Sequence, residues 1–197
     1  MIAARMPSPI GHALAGVAVA LAADLIPGDR KVPGSGTWHQ RRALVCAGLG
    51  AAPDLDLLVA GTHRTATHSL FAVLIVAVAA AALAANARRP IARVTLVCAA
   101  AYGSHLLLDW LGVDNYPPRG IMALWPISHA WYISDLDVFR QTARLHLFTR
   151  PVILTNVKAI AQEIAILGPI VIALGLIRVK ALARLAPEMT GRDHPAE

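Results

Sequence analysis

Apolar residues run through this chain in blocks of roughly membrane length, and polar residues gather at the joints between them. The first block opens at Ser8-Pro9, which reads as an N-cap followed by proline at the first helical position. It covers residues 10–26 and stops at Pro27-Gly28. That length is at the short end for a span. A loop rich in glycine, proline and basic residues is predicted over 28–42, then a second block over 43–60, broken by Pro53-Asp54-Leu55-Asp56. Proline and two carboxylates so deep put its second half against protein or water rather than lipid. A polar connection over 61–68 follows, with Thr67 as N-cap of a plain spanning helix over 69–85. Arg88, Arg89 and Arg93 surround Pro90, and a fourth span covers 91–111.

Residues 112–151 form one long non-spanning stretch whose Tyr116, Trp125, Trp131 and Tyr132 suit a membrane interface. Within it Ser134-Asp135-Leu136-Asp137 resembles a capping box. Leu136, Phe139, Ala143 and Leu147 then share one side, which predicts a short helix lying on the membrane and ended by Pro151. A fifth span covers 159–177, with a kink at Pro169. The expected fold class is all-α: a polytopic membrane helix bundle with about five spanning or partly spanning helices and one interfacial helix. Residues 1–185 make a single membrane-embedded domain, and 186–197 a polar tail expected to be disordered. A rival reading of the first block is a cleaved signal peptide, from Arg5, the apolar core and Ala20-Leu21-Ala22; cleavage would remove His12.

Composition agrees with the blocks. Of 197 residues, 56% are hydrophobic and 15% charged, where a soluble domain carries about 25% charged residues. Mean hydropathy is +0.56. Cys46 and Cys98 lie inside apolar blocks as small core residues and outline no disulfide framework. The net charge of +6 raises nucleic acid as a partner. The chain has no soluble basic domain and no aromatic-basic stripe, and positive flanks on membrane helices account for the charge. The expected partner is therefore the lipid bilayer, with no nucleic acid.

The candidate chemistry starts from His105 and Asp109, four residues apart and hence on one helical face. An ionisable residue inside a span is a functional-site candidate by default. An imidazole and a carboxylate together make half a zinc site. Tracing the blocks up and down places His12 at the start of the first span and Asp54 and Asp56 near the end of the second. His63, Arg64 and His68 fall in the turn to the third, and His105 and Asp109 near the end of the fourth. All share one side of the bilayer, where chance would scatter them. The opposite side carries Arg30, Lys31, Arg41, Arg42, Arg88, Arg89, Arg93, Arg178, Lys180, Arg184 and Arg192; the site side carries fewer basic residues. The positive-inside rule then turns the site away from the cytoplasm, although Arg5 and the amino terminus pull the other way.

Three histidines and up to three carboxylates suit one or two divalent ions, zinc first. Each zinc needs about three protein ligands and keeps a position for water, which it acidifies into a nucleophile. The expected metal set is His12, Asp56, His68, His105 and Asp109. The expected catalytic set is Asp54, Asp56, His63 and Arg64. Asp54 and Asp56 would point to different sides of a regular helix, so one is a ligand and the other a partner behind the ligands or a general base. Arg64 offers its fork of donors to a phosphate or carboxylate. Singly, each residue has a bland reading: His12 as a helix-contact histidine, Asp54-x-Asp56 as a helix break in water, His63-Arg64 as a solvated loop, and His105 with Asp109 as a hydrogen bond pinning two helices. The set on one side outweighs these. His129 and His146 read as surface residues, and Asp24 as interfacial.

The motifs Ser8-Pro9-Ile10-Gly11-His12, Pro53-Asp54-Leu55-Asp56, His63-Arg64-Thr65-Ala66-Thr67-His68-Ser69, His105-Leu106-Leu107-Leu108-Asp109 and Leu124-Trp125-Pro126-Ile127-Ser128 resemble the YdjM-type family. That family consists of inner-membrane proteins described as LexA-regulated and as metal-dependent hydrolases. The resemblance covers residues 8–128 and implies a helical inner-membrane protein with hydrolase activity. The order His, Asp, His, His-x-x-x-Asp is also similar to that of zinc-dependent phospholipase C enzymes, which are helical and use a zinc cluster. Their further ligands find only Asp114, His129, Asp135 and Asp137 as late candidates here. The expected function is a membrane-embedded hydrolase of an ester or phosphoester in a small-molecule or lipid-like substrate. One alternative is a transporter or proton relay, which needs His and Asp nearer the midplane, broken helices and often a repeat. Another is a non-enzymatic membrane factor with a closed structural zinc. The sequence assigns no oligomeric state.

Overall fold

A helix that begins on a serine cap sets the frame. In the computed structural model, which describes residues 7–26, 36–59 and 63–190, α1 spans Pro9–Leu25. The Ser8 hydroxyl accepts from Gly11 N at its start, and Pro9 occupies the first turn, where no amide donor is needed. The helix α2 runs Gly36–Ala51. The predicted 28–42 loop is therefore helical from Gly36 onward; residues 27–35 lie outside the described residues. Pro53 ends α2, since it lacks an amide donor and disfavours α geometry at the residue before it. The chain tightens there into a 3-10 turn over Ala52–Leu58, followed by a second over Ala66–His68. Residues 60–62 lie outside the described residues.

The third helix, α3, covers Leu70–Asn86, and α4 covers Ile91–Leu111. The cap of α3 is Ser69, whose hydroxyl accepts from Ala72 N; Thr67, the residue predicted for that role, instead donates to Asp56. Helix α5 runs Arg150–Thr190, continuous through Pro169. The segment expected as a tail from 186 starts inside this helix, and 191–197 lie outside the described residues. Among the described residues there are no strands, only two isolated bridges. Among the described residues two helices are long and apolar enough to cross a membrane, Ile91–Leu111 and Arg150–Ala181, and α1 and α3 are shorter apolar helices. At about 1.5 Å per residue α4 reaches roughly 32 Å, enough for the hydrocarbon core.

The predicted interfacial helix over 134–147 is absent. That segment is irregular, with Asp135 and Asp137 in the left-handed region at φ 56° and 52°. Its backbone is tied to the end of α4 instead: Ser134 N and Val138 N donate to the carbonyls of Trp110 and Leu111, and Val113 N donates to Phe139 O. Carbonyls left unpaired at a helix end take these donors, and Phe139 enters the core beside Ala15, Leu108 and Leu167. Pro151, expected to end a helix, begins one.

Helix α1 is central and packs on α2, α4 and α5, while α3 packs on α4. A Cβ at Gly16 would strike the carbonyl of Cys46, and one at Gly50 the carbonyl of His12. Glycine at both positions lets α1 and α2 meet backbone to backbone. Outward positions on α3 and α5 are apolar, among them Leu74, Ile75, Val78, Leu83, Ile164, Ile172, Leu176 and Val179. Exposed apolar surface of this extent marks a face meant for an apolar surrounding.

Candidate metal centre

Four helix ends meet where the polar residues are densest. The first turn of α1 supplies His12, the 3-10 turn after α2 supplies Asp54 and Asp56, the connection to α3 supplies His63, Arg64 and His68, and the last turns of α4 supply His105 and Asp109. His12, His68 and His105 are each 0% exposed. Their Nε2 atoms converge on one carboxylate: His12 lies 3.3 Å from Asp109 Oδ1, and His68 and His105 each lie 3.3 Å from Asp109 Oδ2. His68 Nε2 and His105 Nε2 are 3.0 Å apart, and the His12 and His105 rings stack with centroids at 3.6 Å.

These separations fit a shared ion. With zinc bonds of about 2.0–2.2 Å, two donors on a tetrahedron stand roughly 3.3 Å from each other. Orphan atoms point the same way. Both ring nitrogens of His12, both oxygens of Asp109, both oxygens of Asp54 and Nε2 of His63 are buried without a hydrogen-bond partner. Buried polar atoms are normally paired, and nitrogen and carboxylate-oxygen lone pairs are what a divalent cation takes up. Among the described residues, two groups have ligand atoms mutually within 4.8 Å: His12 with His105 and Asp109, and Asp54 with His63 and His68.

The two carboxylates of the Asp-x-Asp motif separate by role. Asp54 faces the cluster, its Oδ1 4.0 Å from His68 Nε2 and 3.9 Å from His105 Nε2. Asp56, placed among the ligands by sequence, lies behind the histidines. Its Oδ1 holds His63 Nδ1 at 2.7 Å, and its Oδ2 meets His68 Nδ1 at 3.1 Å, Thr67 Oγ1 at 2.6 Å and Arg64 N at 3.1 Å. A carboxylate on Nδ1 fixes a ring so that Nε2 faces the metal position. His105 is held alike, its Nδ1 2.7 Å from Gly50 O. Burial alone would raise the Asp56 pKa, but the bonds from His63, His68 and Thr67 outweigh it and hold the carboxyl below the usual range. At His68, burial outweighs the pull of Asp56 and Asp109 and lowers the pKa, which keeps the ring neutral and able to ligate.

Arg64 is 8% exposed and sits in the left-handed region at φ 64°. Its Nη1 donates to Asp114 Oδ2. A small cleft of about 10 Å³, lined by Pro7, Arg64, Asp109, Val113, Asp114, Gly120 and Ile121, reaches the Asp109 side of the cluster. Asp135 and Asp137 are exposed, and Asp135 pairs with Arg119 at 2.5 Å.

A family model for the YdjM inner membrane protein matches residues 6–184. The chain belongs to the YdjM inner membrane protein family. No curated protein and no solved structure matches it. The match runs past residue 128, where the sequence motifs stop, and takes in Glu163 and Arg144, to which sequence reasoning gave no part in the site, as well as Asp114, named there only as a late ligand candidate. Glu163 of α5 is 0% exposed; its Oε1 accepts from Ser8 N at 2.6 Å, and its Oε2 accepts from the Ser8 hydroxyl. A Cβ at Gly11 would lie 2.7 Å from that carboxylate. Glu163 thus clamps the cap that positions His12, and an acid within an apolar block was the signal that marks it. Asp114 pairs with Arg64, and Arg144 Nη2 stands 3.6 Å from Asp54 Oδ2. No spacing pattern links either to the motifs.

Proposed function

We propose that this YdjM-family chain is a multi-pass inner-membrane hydrolase that cleaves an ester or phosphoester of a lipid-like substrate at a divalent-metal site, zinc first, on the non-cytoplasmic face. The observation that carries this reading is the meeting of three histidine Nε2 atoms on the two oxygens of Asp109 at tetrahedral separations. His12, His105 and Asp109 would hold one ion, and Asp54, His63 and His68 a second beside it. When bound, such ions supply Lewis acidity for water activation and for the leaving oxygen.

The chain's own residues divide the remaining work. Asp56 and Gly50 O fix the ring orientations of His63, His68 and His105 through Nδ1. Asp54 Oδ2, 3.6 Å from Arg144 Nη2, would accept a proton from attacking water. The new bond joins the water oxygen to carbon or phosphorus, the ester oxygen leaves, and the proton held by Asp54 serves that oxygen. The small cleft lined by Arg64 and Asp109 marks the side from which a headgroup would approach, and it would have to widen to take one. Ligand type also favours catalysis over a scaffold: structural zinc favours cysteine and closes four positions, and Cys46 lies in the α1–α2–α4 core away from this set.

The test is hydrolysis of phospholipids and simple phosphoesters by zinc-loaded protein in liposomes. Turnover by wild type, lost in Asp54→Asn with at least part of the metal retained, is expected. A wild type that holds metal but cleaves nothing across the panel, or an Asp54→Asn variant as active as wild type, would contradict the mechanism.

A further inference from the structure

Around the cluster, the buried side-chain atoms without a hydrogen-bond partner include carboxylate oxygens, histidine nitrogens, and Nη1 and Nη2 of Arg144. A divalent cation would satisfy the first two kinds. It does nothing for the third, because guanidinium nitrogens are donors only and carry positive charge. Nη2 is 3.6 Å from Asp54 Oδ2, within ion-pair range and beyond a hydrogen bond. The other oxygen of Asp54 faces the His68 and His105 Nε2 atoms. Arg144 therefore stands one carboxylate away from the metal ligands, with a side chain 22% exposed to whatever approaches.

Its backbone is fixed there. The neighbouring Ala143 donates its amide to Asn156 Oδ1 at 2.7 Å and accepts from Asn156 Nδ2 at 2.9 Å, so α5 holds this segment by both polar groups of one residue. Gln162 Oε1 holds Arg140 N at 3.0 Å from the same helix. A fork of donors carried on a clamped segment is pre-organised for a planar or tetrahedral oxyanion. A carboxylate has only two oxygens and would be used up by the fork. A phosphate ester has oxygens left over to reach the ligand cluster at the same time.

We propose that Arg144 is the anion-reading residue of this site and that the group it reads is a phosphate ester. The proposal rests on the metal-hydrolase reading above. Arg144 Nη1 and Nη2 bond two non-bridging oxygens and hold the phosphorus beside Asp54. The phosphate can belong to a lipid headgroup or to a soluble ester.

The experiment uses the full chain in detergent, loaded with zinc, as wild type, Arg144→Gln and Arg144→Lys. Metal content and equilibrium binding of radiolabelled inorganic phosphate are measured on the same samples. Equal metal in all three is expected, with phosphate binding about tenfold or more weaker in Arg144→Gln, as for loss of charge-assisted bonds. Partial recovery is expected in Arg144→Lys, which keeps the charge and loses the fork. Displacement by glycerol phosphate against dihexanoyl phosphatidic acid separates the sources: stronger displacement by the lipid assigns a lipid headgroup, and equal displacement a soluble ester, either outcome upholding phosphate recognition. Unchanged phosphate binding in Arg144→Gln with metal intact overturns the proposal and leaves the metal reading standing. Loss of metal in that variant also overturns it, by making Arg144 structural. Zinc-free wild type overturns both.

Discussion

Asp56 never faces the point where the histidine Nε2 atoms converge, yet the cluster depends on it, because its two oxygens set the rings of His63 and His68. Asp56→Asn keeps the volume and removes the charge. It is expected to weaken zinc affinity about 10- to 100-fold, the usual effect of losing such a partner, as read by competition with a chromophoric chelator. Glu163 makes a second test at this scale. Glu163→Ala leaves Ser8 N without its acceptor in the core and is expected to cost about 1–3 kcal/mol, read as a lower unfolding midpoint in mild detergent. A midpoint equal to wild type would show that the clamp at the cap contributes nothing. The sequence marked His12, His105 and Asp109 because helix parity alone brings them to one end. It could not rank Asp54 against Asp56: the 3-10 turn, not a regular helix, decides which oxygen faces inward.

Helices were legible where apolar blocks met clear stops. Ser8-Pro9 and Pro90 bound α1 and α4 close to the predicted positions, whereas α2 runs Gly36–Ala51 and ends at the Pro53 break instead of covering 43–60. The 134–147 segment misled because Leu136, Phe139, Ala143 and Leu147 share a helical side in any sequence of that spacing. What decided its conformation was the row of carbonyls at the end of α4, which no local pattern reveals. Arg144 was hidden with it, since an exposed face of a surface helix is where such an arginine would otherwise belong. The α1–α2 contact is testable at this scale. Gly16→Leu would force the backbones apart at Cys46 O, moving His12 and the Gly50 carbonyl that holds His105. Zinc content and thermal stability are expected to fall together. Gly48→Ala is the control, since a Cβ there meets nothing within 4 Å. Equal behaviour of the two variants would separate helix packing from the site.

At the scale of the whole molecule, charge and chemistry occupy opposite ends. Asp24 pairs with Arg42 and with Arg178 Nε, and Arg93 donates to Ala23 O and Ile26 O, all remote from the histidine cluster. In the orientation proposed above from the positive-inside rule, that is the cytoplasmic end. In a chain with Cys46 and Cys98 replaced, a membrane-impermeant thiol reagent is expected to label Ile127→Cys from outside intact cells and to spare Arg89→Cys. The reverse pattern would put the site in the cytoplasm. The central claim is that helix ends distant in sequence build one metal centre, and metal content of the purified chain tests it most directly. Protein prepared without chelator is expected to carry about one or two equivalents of zinc or a similar ion, and His105→Ala and Asp109→Ala are each expected to lose most of it while remaining folded. Wild type without metal, or both variants retaining wild-type content, would contradict the account.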